Sequence, residues 1–142
     1  MKIIRKGSAK WSGGLKDGKG LISTESGALT DYPYGFSSRF EGQKGSNPEE
    51  LIGAAHAACF TMALSLALNE AGFTADSLET SAKISLEKLD SGFTVTASAL
   101  TLTAKVPGID DATFQKVAAG AKANCPISKL LKADISLEAK LS

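Results

Sequence analysis

A chain of 142 residues with 43% hydrophobic and 22% charged side chains is long enough for one domain with a proper core. Its 16 Lys and Arg balance 15 Asp and Glu, and its aromatics, 6% of the chain, are not interleaved with basic residues. That excludes an electrostatic case for nucleic acid or an anionic membrane surface, and two cysteines with one histidine are too few to close a structural zinc site.

The first residues, Met1 to Trp11, offer only Ile3 and Ile4 before charge returns, which is too little for a signal-peptide core. Strands broken by glycine are predicted over the first third. Ile3, Arg5 and Lys10 to Trp11 suggest a first strand, with turns at Gly13-Gly14 and Asp17-Gly18. Leu21 to Thr24 suggests a second, and Tyr34 to Phe40 a third that carries Arg39.

The pattern then changes. Asn47 can cap a helix, Pro48 suits its first position, and Glu50 stands where a capping box places its acidic partner. The helix is expected to run to about Ala71, with Gly72 as its stop. Residues Leu51 to Leu68 carry no formal charge and reach the lower length limit of a membrane span. His56, Thr61, Ser65 and six alanines inside the stretch, and Glu49, Glu50 and Glu70 around it, favour a helix packed on all sides by protein. A chain of this size offers too little protein to surround such a helix alone, so a homodimer is inferred, and the expected location is cytoplasmic.

Ile84 and Leu86 then share one strand face, and Asp90-Ser91-Gly92 makes a hairpin turn. Phe93, Val95, Ala97 and Ala99 alternate, after which Leu100, Leu102, Ala104 and Val106 alternate in the opposite phase, which predicts a bulge or bend between them. Pro107-Gly108 ends the strand. A second helix is expected from about Asp111 to Ala123, capped by Asp110 or Asp111, with Phe114, Val117, Ala118 and Ala121 facing inward. Asn124-Cys125-Pro126 interrupts it, a short helix restarts at Pro126, and Ile135, Leu137, Ala139 and Leu141 alternate in a closing strand. The fold class is α+β, a single domain over residues 1–142, with strands grouped around a long buried central helix.

The two cysteines differ by position. Cys125 at a helix N-cap faces free N–H groups that favour its thiolate, whereas burial in mid-helix raises the Cys59 thiol. A reactive Cys59 therefore needs a cation, and Arg39 is the candidate, with Glu49 as its counterion. Ten residues separate Glu49 from Cys59, about 15 Å along a continuous helix at ~1.5 Å per residue. A site using both must bend the helix or combine two subunits, and the second is favoured. Taken alone, these residues also allow plainer roles. The cysteines can be small buried hydrophobes, Arg39–Glu49 a surface ion pair, His56 a satisfied helical histidine, and Phe36 with Phe40 part of the core.

The stretch from Asn47 to Leu64, NPEELIGAAHAACFTMAL, with Asn124-Cys125-Pro126-Ile127-Ser128 far downstream, resembles the OsmC/Ohr family of bacterial hydroperoxide reductases. The segment from Thr24 to Leu51 resembles the OsmC branch, which carries its arginine in that strand. The resemblance covers essentially the whole chain. It implies an OsmC-like fold in an intertwined homodimer, and a thiol-dependent peroxidase serving defence against oxidative stress. It also implies Cys59 as the peroxidatic cysteine, Cys125 as the resolving cysteine, Arg39 as the activating arginine and Glu49 as the glutamate that orients it. The expected chemistry is reduction of an organic hydroperoxide through a Cys59 sulfenic acid and a Cys59–Cys125 disulfide, reset by an external dithiol. In relatives that dithiol is carried on a lipoylated protein. No flavin, haem or metal cofactor is implied. The alternatives are a thiol–disulfide oxidoreductase, which ordinarily uses a closely spaced Cys-x-x-Cys pair that this chain lacks, and a non-catalytic stress-induced interaction protein with structural cysteines.

Overall fold

Turn glycines in the first third produce a small antiparallel sheet in the order β1 (Gly7–Ser12), β2 (Lys19–Thr24), β3 (Tyr32–Tyr34). The computed structural model describes residues 1–142, and the chain forms two units, Met1–Leu51 and Ile52–Ser142. In the first unit, Gly20 is required where it stands. A Cβ there would fall 2.3 Å from the Tyr34 ring and 2.7 Å from the Trp11 ring, and those two rings pack with centroids 5.5 Å apart.

Two expectations need correction in this unit. Ile3 and Arg5 lie before β1, because β2 ends at Thr24 and the chain turns at Gly27 (φ 80°), so earlier residues have no partner strand. The third candidate strand stops at Tyr34, and Phe36–Phe40 is a short helix, α1. Arg39 thus stands on a helix and not on a strand. Serine chemistry explains the change, since local side-chain bonds compete with a ladder. Ser38 Oγ accepts the Gly35 N–H at 3.0 Å and donates to the Ser46 carbonyl at 2.8 Å, while the Arg39 N–H closes a helical turn on the Gly35 carbonyl.

The long helix α2 (Pro48–Glu70) begins as its capping residues require, with the Glu50 N–H donating to Asn47 Oδ1 at 2.8 Å. By length and composition it is the one helix able to cross a membrane. Within the second unit, though, it presents a core-helix face: Gly53, His56, Phe60, Leu64 and Leu68 are buried at spacings of three and four. At Gly53 the helix comes so close to the sheet that a Cβ would sit 3.2 Å from the Ala82 carbonyl oxygen. The second unit leaves the opposite side of the helix open. Met62 is 77% and Leu66 60% exposed.

The sheet against which this face packs is ordered β4 (Ser77–Leu89), β5 (Gly92–Lys105), β6 (Asp134–Leu141). β4 and β5 form a hairpin through Asp90-Ser91, and β6 returns parallel to β5 after α3 (Asp111–Asn124) and α4 (Pro126–Leu130). The N-cap of α3 is Asp110, which accepts the Thr113 N–H at 2.9 Å. The expected phase slip exists but lies earlier. Ser85 pairs with Ala97 and Leu86 with Val95, leaving Thr96 as the extra residue. Ser98 is the reason: it is fully buried on the inward face, so the inward phase begins one step before the first apolar residue that announces it, Leu100.

Phe60, Leu64, Leu100, Leu102, Phe114 and Ala118 form the centre of the core. Phe114 has no exposed surface. Phe114→Ala is expected to lower unfolding stability by about 3–5 kcal/mol, read as a fall in the denaturant midpoint at unchanged slope.

Candidate active site

Cys59 follows from the helix geometry just described. It is one residue round from fully buried Phe60, which turns its side chain partly out of the core. There it lines an open groove of about 750 Å³ together with Met62, Ala63, Leu66, Val117 and Ala121. The walls are mostly aliphatic, so the groove suits an alkyl group better than a small polar solute. Cys125 is fully buried beneath, where Pro126 breaks the helical run and Cys125 ends α3 and caps α4. Both cysteines are free thiols, and each acts on the ionisation of the other.

Their electrostatics run in opposite directions. Burial pushes the Cys59 thiol up, and the adjacent Cys125 sulfur adds to the rise, against which the Ile127 N–H works. At Cys125 burial also pushes upward. It is outweighed by the Cys59 thiol, the N–H and hydroxyl of Ser128 and the Ile127 N–H, so Cys125 ends below the ordinary thiol range. The Cys125 sulfur closes no regular capping bond, yet the first turn of α4 still stabilises negative charge on it.

His56 lies behind the pair and is fully buried. Its Nδ1 is 2.6 Å from Ser98 Oγ, and its Nε2 is 2.8 Å from Ser128 Oγ. Burial lowers its pKa, which keeps the ring neutral. Both ring nitrogens are satisfied, as expected of a helical histidine in a core. The two serines are what a reading of the sequence missed. Ser128 had a signal, its place three residues after Cys125; Ser98 had none beyond being a polar residue inside an apolar alternation.

Arg39 and Glu49 meet within the first unit. Arg39 Nε lies 3.2 Å from both carboxylate oxygens of Glu49 and the terminal Nη2 lies 2.7 Å from Oε1, a two-pronged ion pair. The Glu49 side chain is only 13% exposed and that of Arg39 35%. The guanidinium also sits over the Phe40 ring at 5.3 Å, and Phe36 and Phe40 pack with centroids 5.0 Å apart. With Trp11, Leu15 and Tyr34 these residues line a small apolar hollow of about 260 Å³. The four expected site residues therefore form two pairs, Arg39 with Glu49 in one unit and Cys59 with Cys125 in the other. Nowhere do three or more His, Cys, Asp or Glu side chains converge as metal ligands would.

Residues 41–140 match the family model described as OsmC-like protein. Peroxiredoxin OsmC of Escherichia coli (strain K12) is 59% identical over 141 residues, 99% of each chain. The organic hydroperoxide resistance protein OhrB of Bacillus subtilis (strain 168) is 29% identical over 123 residues, 86% of this chain and 88% of that one. The crystal structure of OhrB aligns with a TM-score of 0.68 over 96% of this chain and 98% of that chain, at 28% identity. The OsmC-like protein of Mycoplasma pneumoniae, at 15% identity over 99% of each chain, has a TM-score of 0.76 and so shares the fold.

Proposed function

The chain belongs to the OsmC family, and from that membership we propose that it is a cysteine-based peroxidase that reduces organic hydroperoxides to alcohols in defence against oxidative stress. The observation that carries this reading is the arrangement of the two thiols, one half-exposed in an aliphatic groove and the other buried beside it. Accessibility supports the roles. Cys59 can meet a peroxide, whereas Cys125 has no surface to offer one.

The Cys59 thiolate attacks one peroxide oxygen. The S–O bond forms as the O–O bond breaks, the sulfur is oxidised by two electrons, and the departing alkoxide takes a proton to become the alcohol. The Cys125 thiolate then attacks the Cys59 sulfenic sulfur. The S–S bond forms, the S–O bond breaks, and hydroxide leaves to be protonated to water. An external dithiol returns both cysteines to thiols by exchange, with no prosthetic group involved. A cycle reset in this way fits the reducing cytoplasm.

The low pKa of Cys125 suits a resolving thiol. The raised Cys59 thiol needs a cation, and the Arg39 guanidinium, held by Glu49, is the one we assign to it. α2 is continuous from Pro48 to Glu70, which supports a site in which Arg39 and Glu49 of one subunit serve Cys59 of another. The exposed, apolar Met62 and Leu66 support a homodimer built on this helix. On this reading the two units act together as one OsmC-like domain, and each dimer holds two sites.

The test is loss of cumene hydroperoxide with excess dithiol, with hydrogen peroxide as competitor. Burial contributes about 0.8 kcal/mol for each methylene, so a four-carbon group is enough for a roughly hundredfold preference for the organic substrate. Repeated turnover with that preference is the expected result. A protein that consumes no peroxide while both thiols stay intact would overturn the assignment.

A further inference from the structure

His56 is the one buried titratable side chain that the proposed cycle does not use, and its hydrogen-bond partners assign its tautomer. Ser98 is fully buried, and its only side-chain hydrogen bond is to His56 Nδ1. A buried hydroxyl hydrogen with no acceptor is costly, so Ser98 Oγ–H donates to Nδ1. A neutral imidazole has one donor and one acceptor. With Nδ1 accepting, Nε2 carries the proton and donates to Ser128 Oγ across 2.8 Å. The Ser128 hydroxyl hydrogen is then not taken by the ring. Ser128 lies three residues after its N-cap Cys125, at the third position of α4, the place from which a side chain reaches back toward the capping residue.

We propose that His56 is a positioning residue for the resolving cysteine: its Nε2–H occupies a lone pair of Ser128 Oγ and so turns the Ser128 hydroxyl hydrogen onto Cys125 Sγ. The chain Ser98 Oγ–H to Nδ1, Nε2–H to Ser128 Oγ, Ser128 Oγ–H to sulfur has every donor pointing one way, toward the thiolate. With the opposite tautomer, Ser128 would donate to the ring and offer the thiolate only lone pairs. The direction of the chain thus decides whether Ser128 supports or opposes charge on Cys125. His56 never touches the reacting atoms and gains no charge. Its contribution is to hold one hydroxyl in one orientation, with both ring nitrogens and both serines buried or half-buried so that water does not compete.

The inference rests on Cys125 being the resolving thiol, and its test is read without any peroxide. In a Cys59→Ser protein the only remaining thiol is Cys125, and its ionisation is followed by thiolate absorbance as pH is raised. The titratable neighbour across the packed elements, Cys59 on α2, is the residue replaced. Losing one charge-assisted hydrogen bond is worth about tenfold or more in ionisation. His56→Leu and Ser128→Ala are each expected to raise the Cys125 midpoint by about one pH unit, and the pair together no further than either alone. His56→Gln, whose amide N–H can take the place of Nε2–H, is expected to restore it. Imidazole nitrogen chemical shifts in the unaltered protein give a reading that does not depend on any variant folding, and the Nε2–H tautomer is expected. An Nδ1–H tautomer, or an unchanged Cys125 titration in Ser128→Ala, would overturn the proposal. Failure of peroxide turnover with the normal titration and tautomer would instead count against the peroxidase assignment and leave His56 in its positioning role.

Discussion

Cys59→Ser is expected to abolish turnover of an organic hydroperoxide, while Cys125→Ser completes a single cycle and stops. The thiolate is the nucleophile, and a serine hydroxyl in the same mid-helix position has neither the acidity nor the polarisable electrons to cleave the O–O bond. Loss of a lone nucleophile lowers the rate by at least roughly 10³-fold, to the background of the dithiol alone. The second variant behaves differently because Cys59 and its groove are untouched. Its sulfenic acid forms and then has no buried partner with which to condense, so further peroxide carries it to the sulfinic acid. Peroxide consumption and the mass of the intact protein read both results. Cys59→Ser should gain no oxygen, and Cys125→Ser should gain one and then a second, with one equivalent of alcohol released for each. Equal repeated turnover in wild type and Cys59→Ser would remove Cys59 from the chemistry.

Arg39→Ala carries the next largest effect. Burial and the neighbouring sulfur both raise the Cys59 thiol, so without a cation little thiolate is present at neutral pH. Removing a preorganised cationic donor from such a site lowers the rate by about 10²–10³-fold. The sign of the pH dependence follows. Rate rises with pH as Cys59 ionises, the guanidinium draws that rise to lower pH, and Arg39→Ala should move it back up. A loss of activity with no displacement of the rising limb would assign Arg39 to substrate binding alone. Subunit mixing tests the arrangement across two chains. Arg39→Ala and Cys59→Ser chains are each inactive, but a mixed dimer restores one of its two sites if Arg39 of one subunit serves Cys59 of the other. Statistical exchange then recovers about a quarter of wild-type activity, whereas a site confined to one chain recovers none.

Much of this was readable before any coordinates. Asn47 caps α2, Asp110 caps α3, and Cys125-Pro126 breaks one helix and starts another. Each of these depends on the chemistry of a few neighbouring residues, on a side-chain oxygen facing a free N–H or on a proline without one. The opposing tendencies of the two thiols were likewise legible, because position in mid-helix and position at a helix start act on a sulfur through nearby backbone.

What the sequence by itself determined, then, is the α+β class, most of the order of elements, the family motifs and the positions of the two thiols proposed to react. What only the tertiary structure decided are features set by partners far along the chain. Residues Phe36–Phe40 form a helix because Ser38 finds the Ser46 carbonyl. The bulge falls at Thr96 because Ser98 must point inward to meet a histidine 42 residues before it. The ends of the His56 hydrogen bonds lie on β5 and α4, which no spacing rule connects. Local rules follow bonds closed within a turn or two of chain. A hydroxyl that becomes a partner only after the core has packed has no local signature to read.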